Sequence, residues 1–149
     1  MNKKNQPTEL SYYGLYLLNY LKENHPDKAS DTDFIMERAD HAANVYEQSR
    51  LDGYTPEGAQ ELAMSALTEG LHFSKYNTII EVFWNEFADE VPPGEAAEFA
   101  LKLLQSLQSL EEVFARYPLA DDFAYTAEYD LLYTELTGTV LIYLEAHGI

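Results

Sequence analysis

Apolar residues recur along this chain at steps of three and four, the spacing that lines one face of an α-helix. No stretch keeps up a period of two, so no strand is predicted. The clearest pattern covers 53–87, GYTPEGAQELAMSALTEGLHFSKYNTIIEVFWNEF. Thr55 can cap a free amide, Pro56 at the first helical position gives up no needed donor, and Glu57 and Glu61 suit the positive end of the dipole. Ala59, Leu62, Ala63, Ala66, Leu67 and Leu71 then share one face, and Gly70 can close the helix in a left-handed conformation. The next helix, about 75–89, is expected to bury Tyr76, Ile79, Ile80, Phe83, Trp84 and Phe87 at the centre of the core. Side chains of that size contribute roughly 1.5–3 kcal/mol each when fully buried.

The same spacing places the other helices. A polar tail over 1–7 precedes a first helix that starts near Thr8 or Ser11 and ends before Pro26. Leu10, Tyr13, Leu17, Tyr20 and Leu21 form its apolar face, and Gly14 on that face suggests close approach of a neighbouring helix. Ser30 or Asp31 caps a second helix with Ile35, Ala39, Ala42, Ala43, Val45, Tyr46 and Ser49 inward, ending at Asp52-Gly53. Val91-Pro92-Pro93-Gly94 is the strongest punctuation and reads as a stiff turn in preference to a hinge. A fifth helix over about 95–115 carries two apolar stripes, and Tyr117-Pro118 ends it. A last helix spans roughly 124–146, with Tyr129, Leu132, Tyr133, Leu136, Val140, Tyr143 and Leu144 inward. The expectation is an all-α, compact bundle of about six helices in a single domain, with helix four central.

Charge changes this picture most. Nine basic residues face 26 acidic ones, for a net charge of −17. After Ser74 only Lys75, Lys102 and Arg116 stand against fourteen acids. Such a surface repels phosphate backbones, which argues against direct nucleic-acid binding, and it would attract a basic protein partner. The plainer reading is solubility. With no cysteine, thiol catalysis and cysteine-ligated metal sites are excluded, and the composition fits a reducing cytoplasm. No run approaches the ~20 apolar residues of a membrane span.

Candidate chemistry is sparse. Glu69-Gly70-Leu71-His72 has the Glu-x-x-His spacing of di-iron bundles, but once rather than twice, and it straddles a predicted helix stop. Glu37 and His41 share a helix face without a second histidine, and His25 and His147 fall at helix ends. Asp27, Asp31 and Asp33 suggest a calcium loop, but the sixth and twelfth positions are wrong in either register. No nucleophile elbow or glycine-rich phosphate loop is present. Glu111-Glu112 and Asp121-Asp122 read as solvated pairs. No catalytic, cofactor or metal residue is assigned. The twelve tyrosines remain. Buried tyrosines need a partner for the hydroxyl, so they gather at core rims and interfaces. Tyr12, Tyr16, Tyr125 and Tyr129 are the candidate interaction surface, for a partner or for a homodimer.

Residues 54–74 (YTPEGAQELAMSALTEGLHFS), the His25-Pro26 break, 34–46 (FIMERADHAANVY) and 133–138 (YTELTG) resemble a small bacterial family known only as a domain of unknown function. The resemblance covers most of the chain. It implies an all-helical, cytoplasmic bacterial protein, found near mobile elements, and it carries no catalytic residues to transfer. The leading expectation is a non-enzymatic, acidic interaction module, in its sharper form a DNA-mimic-like or adaptor protein for a basic nucleic-acid-handling partner. The alternative is an enzyme or ligand-binding protein with a carboxylate-lined pocket between helices.

Overall fold

The computed structural model describes residues 10–148, and the tail expected over 1–7 lies outside them. Among the described residues are seven α-helices and no strand, so the fold is all-α. The chain forms two compact units, Met1–Glu69 and Gly70–Ile149. The division falls inside the 53–87 stretch, with its first helix in one unit and its second in the other.

The first unit contains α1 (Tyr12–Asn24), α2 (Thr32–Leu51) and α3 (Pro56–Thr68). Each begins on a side-chain cap. Ser11 Oγ accepts from Gly14 N–H at 3.2 Å, Asp31 Oδ1 from Phe34 N–H at 3.1 Å, and Thr55 Oγ1 from Gly58 N–H at 3.0 Å. Each bond satisfies one of the orphan amides of a helix start. Leu17 and Leu21, Ile35, Ala39 and Ala42, and Ala59, Ala63 and Leu67 fill the buried side. The alanines let α2 and α3 run close together, and Arg38 on α2 holds the open end of α3 by donating to Leu67 O at 3.0 Å and Glu69 O at 2.8 Å. Three expectations change. Ala43 and Leu62 face solvent. The atoms nearest a Cβ built on Gly14 belong to Leu10 and Ser11, at 3.2 Å and beyond, so this glycine is crowded by its own helix start rather than by a neighbouring helix.

The second unit contains α4 (Lys75–Glu86), α5 (Ala96–Ser106), α6 (Gln108–Ala115) and α7 (Glu128–His147). Ser74 caps α4 by accepting from Asn77 N–H at 2.9 Å. Ile79, Ile80, Val82 and Phe83 from α4 meet Phe99 and Leu103 from α5, Leu110, Val113 and Phe114 from α6, and Leu132, Leu136 and Val140 from α7 in one core. Phe83 stacks on Phe99 at 5.3 Å. Helix four is central to this unit, as its apolar pattern predicts, but Trp84 is not part of the core: it is 55% exposed. On a helical wheel the buried arc runs from Val82 through Ile79 and Phe83 to Phe87 and Ile80, and Trp84 falls just past its edge. Val91 and Ala96, on either side of the Pro92-Pro93 turn, are both buried in this core.

The single helix expected over about 95–115 is two. Leu107 is extended (φ −100°, ψ 102°) between α5 and α6. Ser106 Oγ donates back to Lys102 O at 2.7 Å, a bond that competes with the helical ladder at the break. The last helix begins at Glu128, later than predicted. Phe123, in a short helical turn ahead of it, is fully buried and anchors the approach.

Candidate functional site

The second unit gathers its polar side chains along the start of α4 and the facing side of α7. The loop entering α4 is shaped by Gly70, whose φ of +81° suits glycine. It is pinned by Asp121, whose Oδ2 accepts from Gly70 N–H at 2.9 Å and Oδ1 from His72 N–H at 3.0 Å. Asp121 Oδ2 also lies 3.5 Å from His72 Nδ1. The Glu69–His72 spacing therefore does not form a ligand pair on one helix face. Its histidine belongs to a loop held by a carboxylate about fifty residues further along.

Beyond this loop lies a shallow cleft of ≈ 140 Å³ lined by His72, Phe73, Ser74, Asn77, Thr78, Glu81, Ala124 and Tyr129. Its aromatic wall is built from edge-on rings, Phe73 against Phe123 at 5.4 Å and against Tyr129 at 6.5 Å. Its polar wall is the pair Tyr129–Glu81, in which the phenol donates to Glu81 Oε1 at 3.0 Å. Burial first, and then this bond to a carboxylate, push the Tyr129 phenol well above its ordinary value. The phenol stays protonated at neutral pH and acts as a donor to Glu81, not as a base.

One turn along, Tyr133 repeats the arrangement. Its hydroxyl donates to Glu86 Oε2 at 3.1 Å and accepts from Asn85 Nδ2 at 3.2 Å. Burial again raises the phenol; the Asn85 bond lowers it and Glu86 raises it. The matching four-residue offsets, 81 to 85 and 129 to 133, mean that α4 and α7 run parallel here. On another side of α7, Glu135 accepts from Tyr117 Oη at 2.6 Å and pairs with Arg116 at 3.1 Å. The bond to Glu135 is the chief reason the Tyr117 phenol is raised.

The four tyrosines singled out in the sequence separate into two pairs in different units. Tyr12 and Tyr16 are exposed neighbours on α1, with ring centroids 6.5 Å apart. Tyr125 is 90% exposed, whereas Tyr129 is half-buried in the cleft wall. Sequence reasoning missed Glu81, Asp121, Tyr133 and Glu135. The one legible signal was the shared four-residue spacing of Glu81/Asn85 and Tyr129/Tyr133. His25, expected at a helix end, caps α1 through its backbone N–H to Leu21 O at 2.7 Å and is buried. Among the described residues no three His, Asp or Glu side chains converge as a metal-ligand set, and no helix is long and apolar enough to cross a membrane.

Residues 5–149 match the model of a family described as a domain of unknown function, DUF1896. The chain belongs to this family. Among solved structures it is similar to the crystal structure of protein PG0816 from Porphyromonas gingivalis. That chain is 37% identical, the match covers 96% of this chain and 95% of that one, and the TM-score is 0.89. No curated protein matches the chain.

Proposed function

We propose that this member of DUF1896 is a non-enzymatic interaction module that binds a basic protein through its acidic surface. The observation that carries this reading is the lack of local neutralisation in the second unit. Its fourteen acids are exposed or half-exposed, and its three cations are already engaged. Arg116 pairs with Glu135 at 3.1 Å, Lys75 with Glu111 at 3.7 Å, and Lys102 sits 5.9 Å over the Phe99 ring. What remains is a sustained negative potential, which favours and orients a lysine- or arginine-rich partner. A protein whose basic face ordinarily meets nucleic acid has that chemistry. The test is capture of a defined lysine-rich protein by the purified chain across a salt series. Capture should fall steeply as salt rises to the point where the screening length is about 3 Å. Salt-independent capture, or none at low salt, would overturn the reading.

A second reading, a ligand-binding protein using the carboxylate-bearing cleft, is favoured by the Glu81–Tyr129 pair on its wall. The cleft suits a small cation or ammonium, with Glu81 as counter-charge and Phe73 as aromatic wall. Thermal shift with small ammonium compounds on the wild type and on Glu81→Gln separates the two readings. Stabilisation of the wild type alone supports the cleft.

A further inference from the structure

We propose that the outward face of α7 docks a basic amphipathic helix of a protein partner. The proposal rests on the interaction-module reading above and gives it a location. A surface helix ordinarily turns one apolar side to the core and a polar side to water. Helix α7 does not. Leu132, Leu136 and Val140 are buried, yet on the opposite side Leu131 is 59% exposed, Ile142 69%, and Leu141 is exposed beside it. Between them, on the same side, lie Thr134 and Gly138. A Cβ placed on Gly138 would meet nothing within 4 Å. Among the described residues its lack of a side chain therefore answers no packing need. It leaves a notch in the stripe where another helix could approach closely. From Leu131 to Ile142 the stripe is about 16 Å long, three turns of helix.

Charge selects the occupant. Helix α7 carries no lysine or arginine. Glu128 falls along one edge of the stripe, beyond Glu135, which is already paired with Arg116; Asp130 falls along the other edge and Glu145 at its C-terminal end. A second copy laid on the same face would set carboxylates against carboxylates. A helix with leucines on one side and lysines or arginines flanking them satisfies both the apolar centre and the acidic rim.

The experiment uses the full chain and a fluorescent synthetic leucine–lysine peptide designed as an amphipathic helix, read by anisotropy. Two further peptides serve as controls: one of the same composition in scrambled order, and one of lysine and alanine with no apolar face. The amphipathic peptide should bind at least about tenfold tighter than either control. The Leu131→Ser/Ile142→Ser variant, whose fold is checked by circular dichroism, should lose about tenfold of that affinity. The Glu128→Gln/Asp130→Asn/Glu145→Gln variant should bind with a shallower salt dependence. If the three peptides bind alike and the serine variant changes nothing, the α7 site falls while the acidic-module reading survives. If none binds, both fall. If sedimentation shows self-association of the wild type that the serine variant abolishes, the face belongs to a second copy and the proposal is overturned.

Discussion

Asp121 holds His72 by two routes, through the backbone N–H at 3.0 Å and beside the ring Nδ1 at 3.5 Å, while its other bond, at 2.9 Å, takes the Gly70 N–H. One side chain thus holds two amides of the loop that delivers the chain into α4. Asp121→Ala leaves two loop amides without their acceptor and should lower stability by about 1–3 kcal/mol. Asp121→Asn keeps one carbonyl acceptor and should lose less. Chemical denaturation of the three proteins ranks them, and equal midpoints would show that water replaces the carboxylate without penalty.

The inward and outward sides of α4 predict opposite outcomes for adjacent residues. Phe83 is fully buried and stacked on Phe99, so Phe83→Ala should cost about 3–5 kcal/mol. Trp84 is mostly in solvent, so Trp84→Ala should change stability by no more than about 1 kcal/mol. The fluorescence of this single tryptophan should also be solvent-like in the folded protein and shift little on unfolding.

Alkaline pH should loosen the second unit. The Tyr129 and Tyr133 phenols are raised above 10.0 in the folded chain. Above that pH the unfolded chain has lost phenolic protons that the folded chain still holds. Their contribution is therefore fully present below about pH 10 and is lost as pH climbs through the folded values. Melting temperature should fall on that limb, and less steeply in Tyr129→Phe. At neutral pH the same variant loses one hydrogen bond to an exposed carboxylate and should be destabilised by about 0.5–1.5 kcal/mol.

Two glycines should respond in opposite directions to alanine. Gly138 lies mid-helix with open space where a Cβ would go, so Gly138→Ala should stabilise by about 0.5–1 kcal/mol. Gly70 also has open space, but its φ is +81°, so Gly70→Ala should destabilise by about 1–2 kcal/mol. Thermal melts of the two variants should bracket the wild type.

What the sequence reveals here is local. Thr55-Pro56, Asp31 and the glycine stops at 53 and 70 act within a few residues, and each sits where its chemistry places it. The inward arc of α4 is legible to within one position, because a three-and-four stripe can be extended on either flank: it admits Trp84 where the fold takes Val82. The break at Leu107 has no glycine or proline to announce it. The polar site is least legible, because each of its bonds joins residues that only the fold brings together. Glu81 meets Tyr129 across 48 positions and Gly70 meets Asp121 across 51. A pair of adjacent aspartates reads as solvated surface until the partner of the first is known.

The core that closes around α4 depends on its last helix, and that dependence sets a schedule for synthesis. Helices α1, α2 and α3 all lie within Met1–Glu69, so the whole of the first unit is synthesised before the second core begins. Phe83, Phe99 and Phe114 must wait for Leu132, Leu136 and Val140. At ordinary translation rates of about 5–20 residues per second, that leaves the apolar side of α4 uncovered for roughly 3 to 12 s. During that interval a nascent chain already rich in carboxylates is expected to repel its neighbours, so the acidity has a use while the molecule is still half made.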